Sequence, residues 1–456
     1  MTTEEQAKRS WRAAAEVYLH KRVIAMLFLG FSAGLPFLLV FSTLSAWLRL
    51  EDVSRTAIGF FSWVGLTYSI KVFWAPVVDR LPLPGLTRIL GRRRAWMLLG
   101  MAGIAAGLLG MATTDPATDL YAMALFALLV AFSSATQDIA VDAYRIEAVQ
   151  KHIQGAMAAT YQGGYRIALL VAGGGALLLV DKETWPVLSW PMVYAFMACL
   201  TLVGMITVLL IREPAPPSDA AVEQSEERVV RFLERQAHLP AWARDGGAWF
   251  IGAVICPFTD FFRRNGMIAL AILAFVGLFR VSDVLMGAMA LPFYIDTGFT
   301  EGEIGSIVKV FGTIATMVGA LAGGVVVMRF DVFKPLLAAA FLLPLTNILF
   351  AALAVMGPEK WMLYVTISAD NFSAGLAGSA FIAYLSGLTS TAYTATQYAL
   401  FSSLMTLPGK ILAGFSGMVV DSVGYMEFFL YTALAGVPAV ALVVFLGRRA
   451  RRNALA

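Results

Sequence analysis

Cysteine is scarce in this chain: Cys199 and Cys256 are its only two among 456 residues, and both lie in or beside apolar runs without metal-ligand spacing. Neither a disulfide framework nor a zinc site is expected, and no metal is assigned. Histidine is nearly as rare, with His20, His152 and His238 far from any nucleophile partner, and no Gly-Lys-Ser/Thr phosphate loop occurs. Enzymatic and ATP-driven readings therefore lack their chemistry. Charge is the third shortage. Charged residues make up 14% against 59% hydrophobic, too few to cover a soluble surface of this size.

Long apolar runs take their place. A hydrocarbon core of ~30 Å needs about 20 apolar residues per helix. The first run covers 23–47, and others begin near Ile58, Ala95, Leu120, Gly155, Met192, Met267, Ile304, Phe333, Met362, Thr396 and Phe428. The expectation is an all-α membrane protein of twelve transmembrane helices, and no enzyme. The segment 1–22 is polar and charged, unlike a signal peptide, and is expected to stay in the cytoplasm.

The sequence pI of about 9.0 is explained by where the basic residues fall. With a cytoplasmic start, the loops on the far side hold Arg49, Arg55, Lys182 and Lys360 among many acids. The near side collects Lys8, Arg9, Arg12, Lys21 and Arg22, then Arg80, Arg88, Arg92, Arg93 and Arg94, then Arg145, Lys151, Arg329, Lys334 and the terminal arginines. Both termini are expected in the cytoplasm, and no nucleic-acid partner is expected.

A Pro-rich, charged stretch at 213–264 divides the chain, giving an N-terminal segment 1–22, a six-helix bundle 23–212, this linker, a second bundle 265–449 and a tail 450–456. Residues 222–236 have an amphipathic pattern, with Val222, Val229, Phe232 and Leu233 on one side and Arg228, Arg231 and Arg235 facing lipid headgroups; a tether and a regulatory element both remain open. The halves repeat weakly. Shifted by 240 residues, FSSATQDIAVDAY lies over FSAGLAGSAFIAY, matching Phe132 with Phe372 and Tyr144 with Tyr384. This favours two pseudo-symmetric bundles related by an axis along the membrane normal.

These residues resemble the major facilitator superfamily, whose loop after the second helix carries Gly-x-x-x-Asp-Arg and a basic cluster. Here Ala75-Pro-Val-Val-Asp79-Arg80 is followed by Gly91-Arg92-Arg93-Arg94, departing at Ala75, and the second half has Met328 where an acid would stand. The resemblance implies gating roles for Asp79, Arg80, Arg92 and Arg93. Within the superfamily the chain is similar to the AmpG muropeptide permeases, through GFSAGLP at 30–36, the segment 58–80, SSATQDIAVDA at 133–143, GYR at 164–166, the segment 309–329 and TATQYALFSSL at 394–404. That resemblance implies proton-coupled import of N-acetylglucosaminyl-1,6-anhydro-N-acetylmuramyl peptides across the bacterial inner membrane in peptidoglycan recycling. No cofactor besides the proton gradient is expected, and function as a monomer is. Another anionic metabolite such as an acyl-coenzyme A, or a membrane sensor using the linker, stays open.

Independently of family, the runs contain Lys71, Asp138, Asp142, Arg166, Arg280, Asp283, Lys309, Asp370 and Lys410. Each costs ~2.5–3.5 kcal/mol or more at mid-bilayer, so they must pair or line water. Arg280 and Asp283, one turn apart, suit mutual pairing. Lys71, Arg166, Arg280, Lys309 and Lys410 are expected to meet an anionic substrate. Gln137, Tyr161, Gln162, Tyr165, Asn371, Tyr384 and Gln397 are expected to hydrogen-bond its sugars, Trp63 and Trp74 to stack on them, and Gly34 to sit at the site. For the proton, Asp138, with Asp142 behind it, is the first candidate and Asp370 the second. Asp142, closer to the helix end, is expected to pair near the gate with Arg80 or Arg145.

Overall fold

The computed structural model describes residues 16–53, 61–180, 188–215, 240, 247, 249–300 and 303–455. The amphipathic stretch expected at 222–236 lies outside them. The first half runs as α1 (Lys21–Leu50), α2 in the short pieces Ser62–Gly65, Leu66–Ile70, Lys71–Phe73 and Ala75–Arg80, α3 (Arg92–Ala112), α4 (Leu120–Ala148), α5 (Lys151–Val180) and α6 (Trp190–Leu210). The second half runs as α7 (Ile268–Thr297), α8 (Ile304–Phe330), α9 (Phe333–Met356), α10 (Lys360–Leu388), α11 (Thr394–Val423) and α12 (Tyr425–Arg449).

Among the described residues, ten of these helices are long and apolar enough to cross a membrane. The other two are α2, broken into pieces, and α10, which spans 29 residues but carries Asp370, Asn371 and several buried glycines and serines. Most of its polar and small residues are buried against neighbouring helices, while Trp361, Val365 and Phe372 form an exposed apolar face. The arrangement is consistent with the expected twelve spans.

The repeat seen in the sequence is a repeat of structure. Helices α4 and α10 have the same length, 29 residues, and start 240 positions apart; each is followed by a single 3-10 turn, Lys151–Ile153 and Thr391–Tyr393, at the same offset. Each half is held by a glycine-lined crossing that lets backbones touch. In the first, a Cβ on Gly164 of α5 would lie 1.9 Å from the Leu27 carbonyl oxygen of α1; in the second, a Cβ on Gly319 of α8 would lie 2.1 Å from that of Phe372 on α10.

The boundaries differ from the expected division in three ways. Helix α1 starts at Lys21, because the His20 side chain accepts from the Arg22 amide and caps it. The last helical segment continues through Leu455, so most of the expected tail is helix. Both ends of the linker are packed on the bundles: the Glu213 carboxylate accepts from the Arg93 and Arg94 amides at 2.7 and 3.1 Å, capping α3, and Cys256–Asn265 is a helix whose Asp260 and Pro257 carbonyl hold the Gln397 amide.

The crossing gives a sharp test. Gly164→Ala should destabilise the purified protein by roughly 1–3 kcal/mol through overpacking, read as a lowered thermal midpoint. Gly163→Ala, whose Cβ would meet only Leu27 Cδ1 at 3.9 Å, should leave it unchanged.

Candidate functional site

The hydrogen bonds described between the halves gather at the end where α1 begins and α2 and α4 finish. The Asp79 carboxylate, 3% exposed, is shared: Oδ1 accepts from Arg93 Nη2 at 2.7 Å within its own half, and Oδ2 accepts from the Thr396 amide and hydroxyl of α11 at 3.2 and 3.1 Å. Arg93 also donates through Nε to Glu147 at 3.0 Å. Arg145, 1% exposed, donates to Ser386 Oγ at 2.8 Å on α10 and lies 5.0 Å over the Tyr398 ring, while its other nitrogen reaches Asp142 at 3.4 Å. Arg80 stacks over Tyr393 at 5.6 Å, and the Tyr18 hydroxyl donates to the Leu321 carbonyl at 2.7 Å. Asp142 therefore pairs with Arg145, one of its two expected partners. Arg92 is half-buried beside this cluster, with Arg93, Asp79, Glu147 and Glu213 acting on it electrostatically.

Above this closed end the charged residues fall in layers. With a rise of 1.5 Å per residue, Asp138 lies ~15 Å inside the end of α4, and Tyr161 lies at a similar depth on α5. There Lys71 Nζ is 4.0 Å from Asp138 Oδ2, and the Tyr161 hydroxyl donates to Asp138 Oδ1 at 3.4 Å. The ring of Tyr165 continues this wall, 6.3 Å from Tyr161 and 6.4 Å from Phe37 of α1. Trp74 packs on Phe132 and donates to the Thr136 hydroxyl at 3.1 Å. The Trp63 side chain lies outside the described residues.

Farther out, ~22 Å from the start of α5, Arg166 feels Arg280 of α7 and Asp283 electrostatically. Arg280 donates to Asp283, as their spacing suggested. Asp370, 9% exposed, accepts from Thr346 at 3.2 Å and feels Asp283 and Arg280. Lys309 and Lys410 are exposed still farther out. Two of these cations sit where helices break. Lys71 opens the 3-10 turn of α2, after Ile70 at φ −97° and ψ 6°, and Arg280 sits at φ −102° and ψ 3° where α7 is interrupted. Broken helix is tolerated at membrane depth where it is buried in protein or lines a cavity.

Several expected substrate contacts are placed elsewhere. Gln137 is fully buried inside the first bundle, donating to Ser32 Oγ at 3.3 Å, because it points a helix face away from Asp138. Gly34 is a packing position, its Cβ space filled by the Tyr165 carbonyl oxygen at 2.6 Å. Tyr384 belongs to the aromatic core of the second bundle, edge-on to Phe275 and Phe333. Gln397 is buried at the linker helix, bonded to Asp260, Arg264, Pro257 and Ser390. Asn371 is tied to Thr316 at 2.8 Å within its half, and Gln162 packs against Gly378 where the halves meet.

Other residues were missed. Glu147, Ser386, Thr396 and Tyr398 build the clamp, and Phe37 and Tyr68 line the aromatic wall. Glu147 lay beside Arg145 in the sequence, but the hydroxyls carry no charge signal.

Two pseudo-symmetric bundles, clamped at one end around a charged seam, define a multi-pass helical carrier. The sequence profile of the Major Facilitator Superfamily matches residues 26–409. Similar solved structures include the major facilitator proton:xylose symporter XylE bound to 6-bromo-6-deoxy-D-glucose, at 12% identity and TM-score 0.64 over 95% of each chain. Another is the transporter FucP in the outward conformation, at 14% identity and TM-score 0.62 over 96% of this chain and 99% of that one. Among characterised and named relatives, putative transporter AmpG 4 of Rickettsia conorii is 33% identical over 95% of this chain and 98% of its own length. The anhydromuropeptide permease of Escherichia coli K12 is 34% identical over 94% and 80%. The chain belongs to the major facilitator superfamily and, within it, to the AmpG permeases.

The clamp predicts its own failure. Asp79→Asn leaves buried Arg93 paired with Glu147 alone and weakens the bonds from Thr396 across the seam, a loss of ~1.5–3 kcal/mol for a hydrogen bond to a charged group. Spin labels at Lys151→Cys and Gly387→Cys, on a background without the native cysteines, should move apart in Asp79→Asn and Thr396→Val and stay at the wild-type distance in Arg92→Gln.

Proposed function

We propose that the protein imports N-acetylglucosaminyl-1,6-anhydro-N-acetylmuramyl peptides together with protons, by alternating access, for peptidoglycan recycling. The clamped, basic end is cytoplasmic, both termini lie there, and the membrane is the bacterial inner membrane. The clamped state then opens to the periplasm. The halves 23–212 and 265–449 rock as bodies, with 213–264 joining them, and the monomer is the working unit without a cofactor.

The observation that carries the coupling is the Lys71–Asp138–Tyr161 cluster at the closed end of the seam. A carboxylate at 4.0 Å competes with any substrate anion for Lys71. A proton on Asp138 removes that competitor and frees the ammonium for a stem-peptide carboxylate, while Arg166, farther out, offers the cargo a second polar contact. When Asp138 loses its proton it reclaims Lys71 and expels the anion. Asp370 is proposed to serve the outer side, and Asp79, Arg80, Arg93, Asp142 and Arg145 the inner gate. Lys309 and Lys410 form the outer approach, and Tyr165 and Trp74 offer aromatic surface.

Proteoliposomes should take up labelled disaccharide-peptide faster under an inward proton gradient. Asp138→Asn should keep substrate binding but lose the acceleration, and Lys71→Gln should weaken binding by about tenfold, the size of one charge-assisted hydrogen bond. Equal wild-type uptake with and without the gradient would overturn the coupling.

A further inference from the structure

A groove of about 1180 Å³ runs between α1 and α6 on the outside of the first bundle, away from the seam. Its rim carries His20, Lys21, Arg22 and Arg212, and its wall is formed by Ile24, Phe28, Val203 and Ile206. We propose that it is a binding site for one anionic phospholipid, with the phosphate on the basic rim and an acyl chain along the wall.

Arg22 caps the end of α4, but among the described residues Lys21 and Arg212 have no acid beside them in the groove. Lys21 and Arg22 stand at the N-terminus of α1, where the helix dipole disfavours cations. No acid is among the described residues that line the groove. The acid next to Arg212 in sequence, Glu213, is committed to the Arg93 and Arg94 amides of α3. Arg22 is fixed by donating to the Ala148 carbonyl at the end of α4, so one cation of the rim is held in place before any ligand arrives. The His20 ring is likewise oriented, its Nδ1 accepting from the Arg22 amide.

Two other cavities provide an internal contrast. The one of about 300 Å³ between α7, α10 and α12 has Asp331 and Arg449 at its edge, one charge of each sign. The groove between α8 and α10 is lined by Phe311, Ile314, Val318, Tyr364 and other uncharged residues. All three offer apolar wall to a lipid chain, but only the α1/α6 groove among them adds unbalanced positive charge. Topology accounts for basic residues at this end of the molecule; it does not account for three cations, Lys21, Arg22 and Arg212, over one groove.

Native mass spectrometry of the full chain, titrated with phosphatidylglycerol, phosphatidylethanolamine and phosphatidylcholine of identical acyl chains, tests the proposal. Phosphatidylglycerol should be retained preferentially as a single tightly held copy. Lys21→Gln and Arg212→Gln should each lower its affinity roughly fivefold and leave phosphatidylcholine unchanged. Ile206→Trp, which fills the wall, should reduce binding of the tightly held copy without altering the thermal midpoint. Equal retention of the three lipids would overturn the proposal, as would a preference that survives both charge substitutions. So would a preference abolished by deleting 216–239 alone, or equal competition by glycerophosphoglycerol, the headgroup without chains.

Discussion

Asp79 divides one buried carboxylate between two bodies, and the rest of the closed structure follows from how it does so. Toward its own half it meets a guanidinium, Arg93; toward the other half it meets the amide and hydroxyl of Thr396. Arg145 repeats the pattern, paired with Asp142 in its own half and with Ser386 and the Tyr398 ring across the seam. Charge is neutralised within a half, and the halves are joined by neutral polar groups and rings. Separating the halves then exposes carboxylate and guanidinium groups that keep their counter-charges. It costs a few charge-assisted hydrogen bonds, ~1.5–3 kcal/mol each, rather than a broken ion pair in low dielectric. A clamp built this way holds and still opens.

At α4 and α10 the repeat is exact in backbone and broken in chemistry. Helices α4 and α10 coincide in length and in the turn that follows, yet Gly387 stands 240 positions after Glu147, and Met328 occupies the place expected for an acid. The second half accordingly holds a cavity of about 300 Å³ bordered by Gly387, Phe333 and Tyr384, in the region where the first half is filled by Arg93 and Glu147. One half supplies the charged latch, and the other supplies Thr396, which donates to Asp79, and Ser386, which accepts from Arg145. Two charged latches facing each other would double the buried charge without adding a bond across the seam.

The fold was legible because membrane spans are dictated by length and hydropathy, and loop arginines mark their ends. Pairings along one helix were legible too: Arg280 with Asp283, and Asp142 with Arg145, are three residues apart and follow from helix periodicity. Neutral polar residues were misplaced for a physical reason. A glutamine or tyrosine in an apolar helix satisfies its hydrogen bonds equally well in a bundle core, as Gln137 and Tyr384 do, or against another segment, as Gln397 does. Charge forces a residue toward water or a counter-charge; an amide does not. Helix breaks were equally hidden, since neither Lys71 nor Arg280 has proline or glycine beside it to announce the interruption.

The seam's charge explains why a proton would precede an anion in the proposed cycle. Lys71, Arg166 and Arg280 lie in the inner layers with Asp138, Asp283 and Asp370 around them, three cations and three carboxylates when all are ionised. Such a seam is neutral and gains little from an anionic cargo, because every cation already has a carboxylate near it. A proton on Asp138 leaves it one charge positive at its closed end, beside Lys71. Arg280 stays bound to Asp283 and is unaffected by that event, so the imbalance appears where the clamp is nearest. An anion drawn there restores neutrality, and a neutral seam is the state with the lowest desolvation penalty when the outer side closes over it. Proton and anion together satisfy that condition; either alone leaves an unmatched charge in low dielectric, and coupling follows from electrostatics without a dedicated relay.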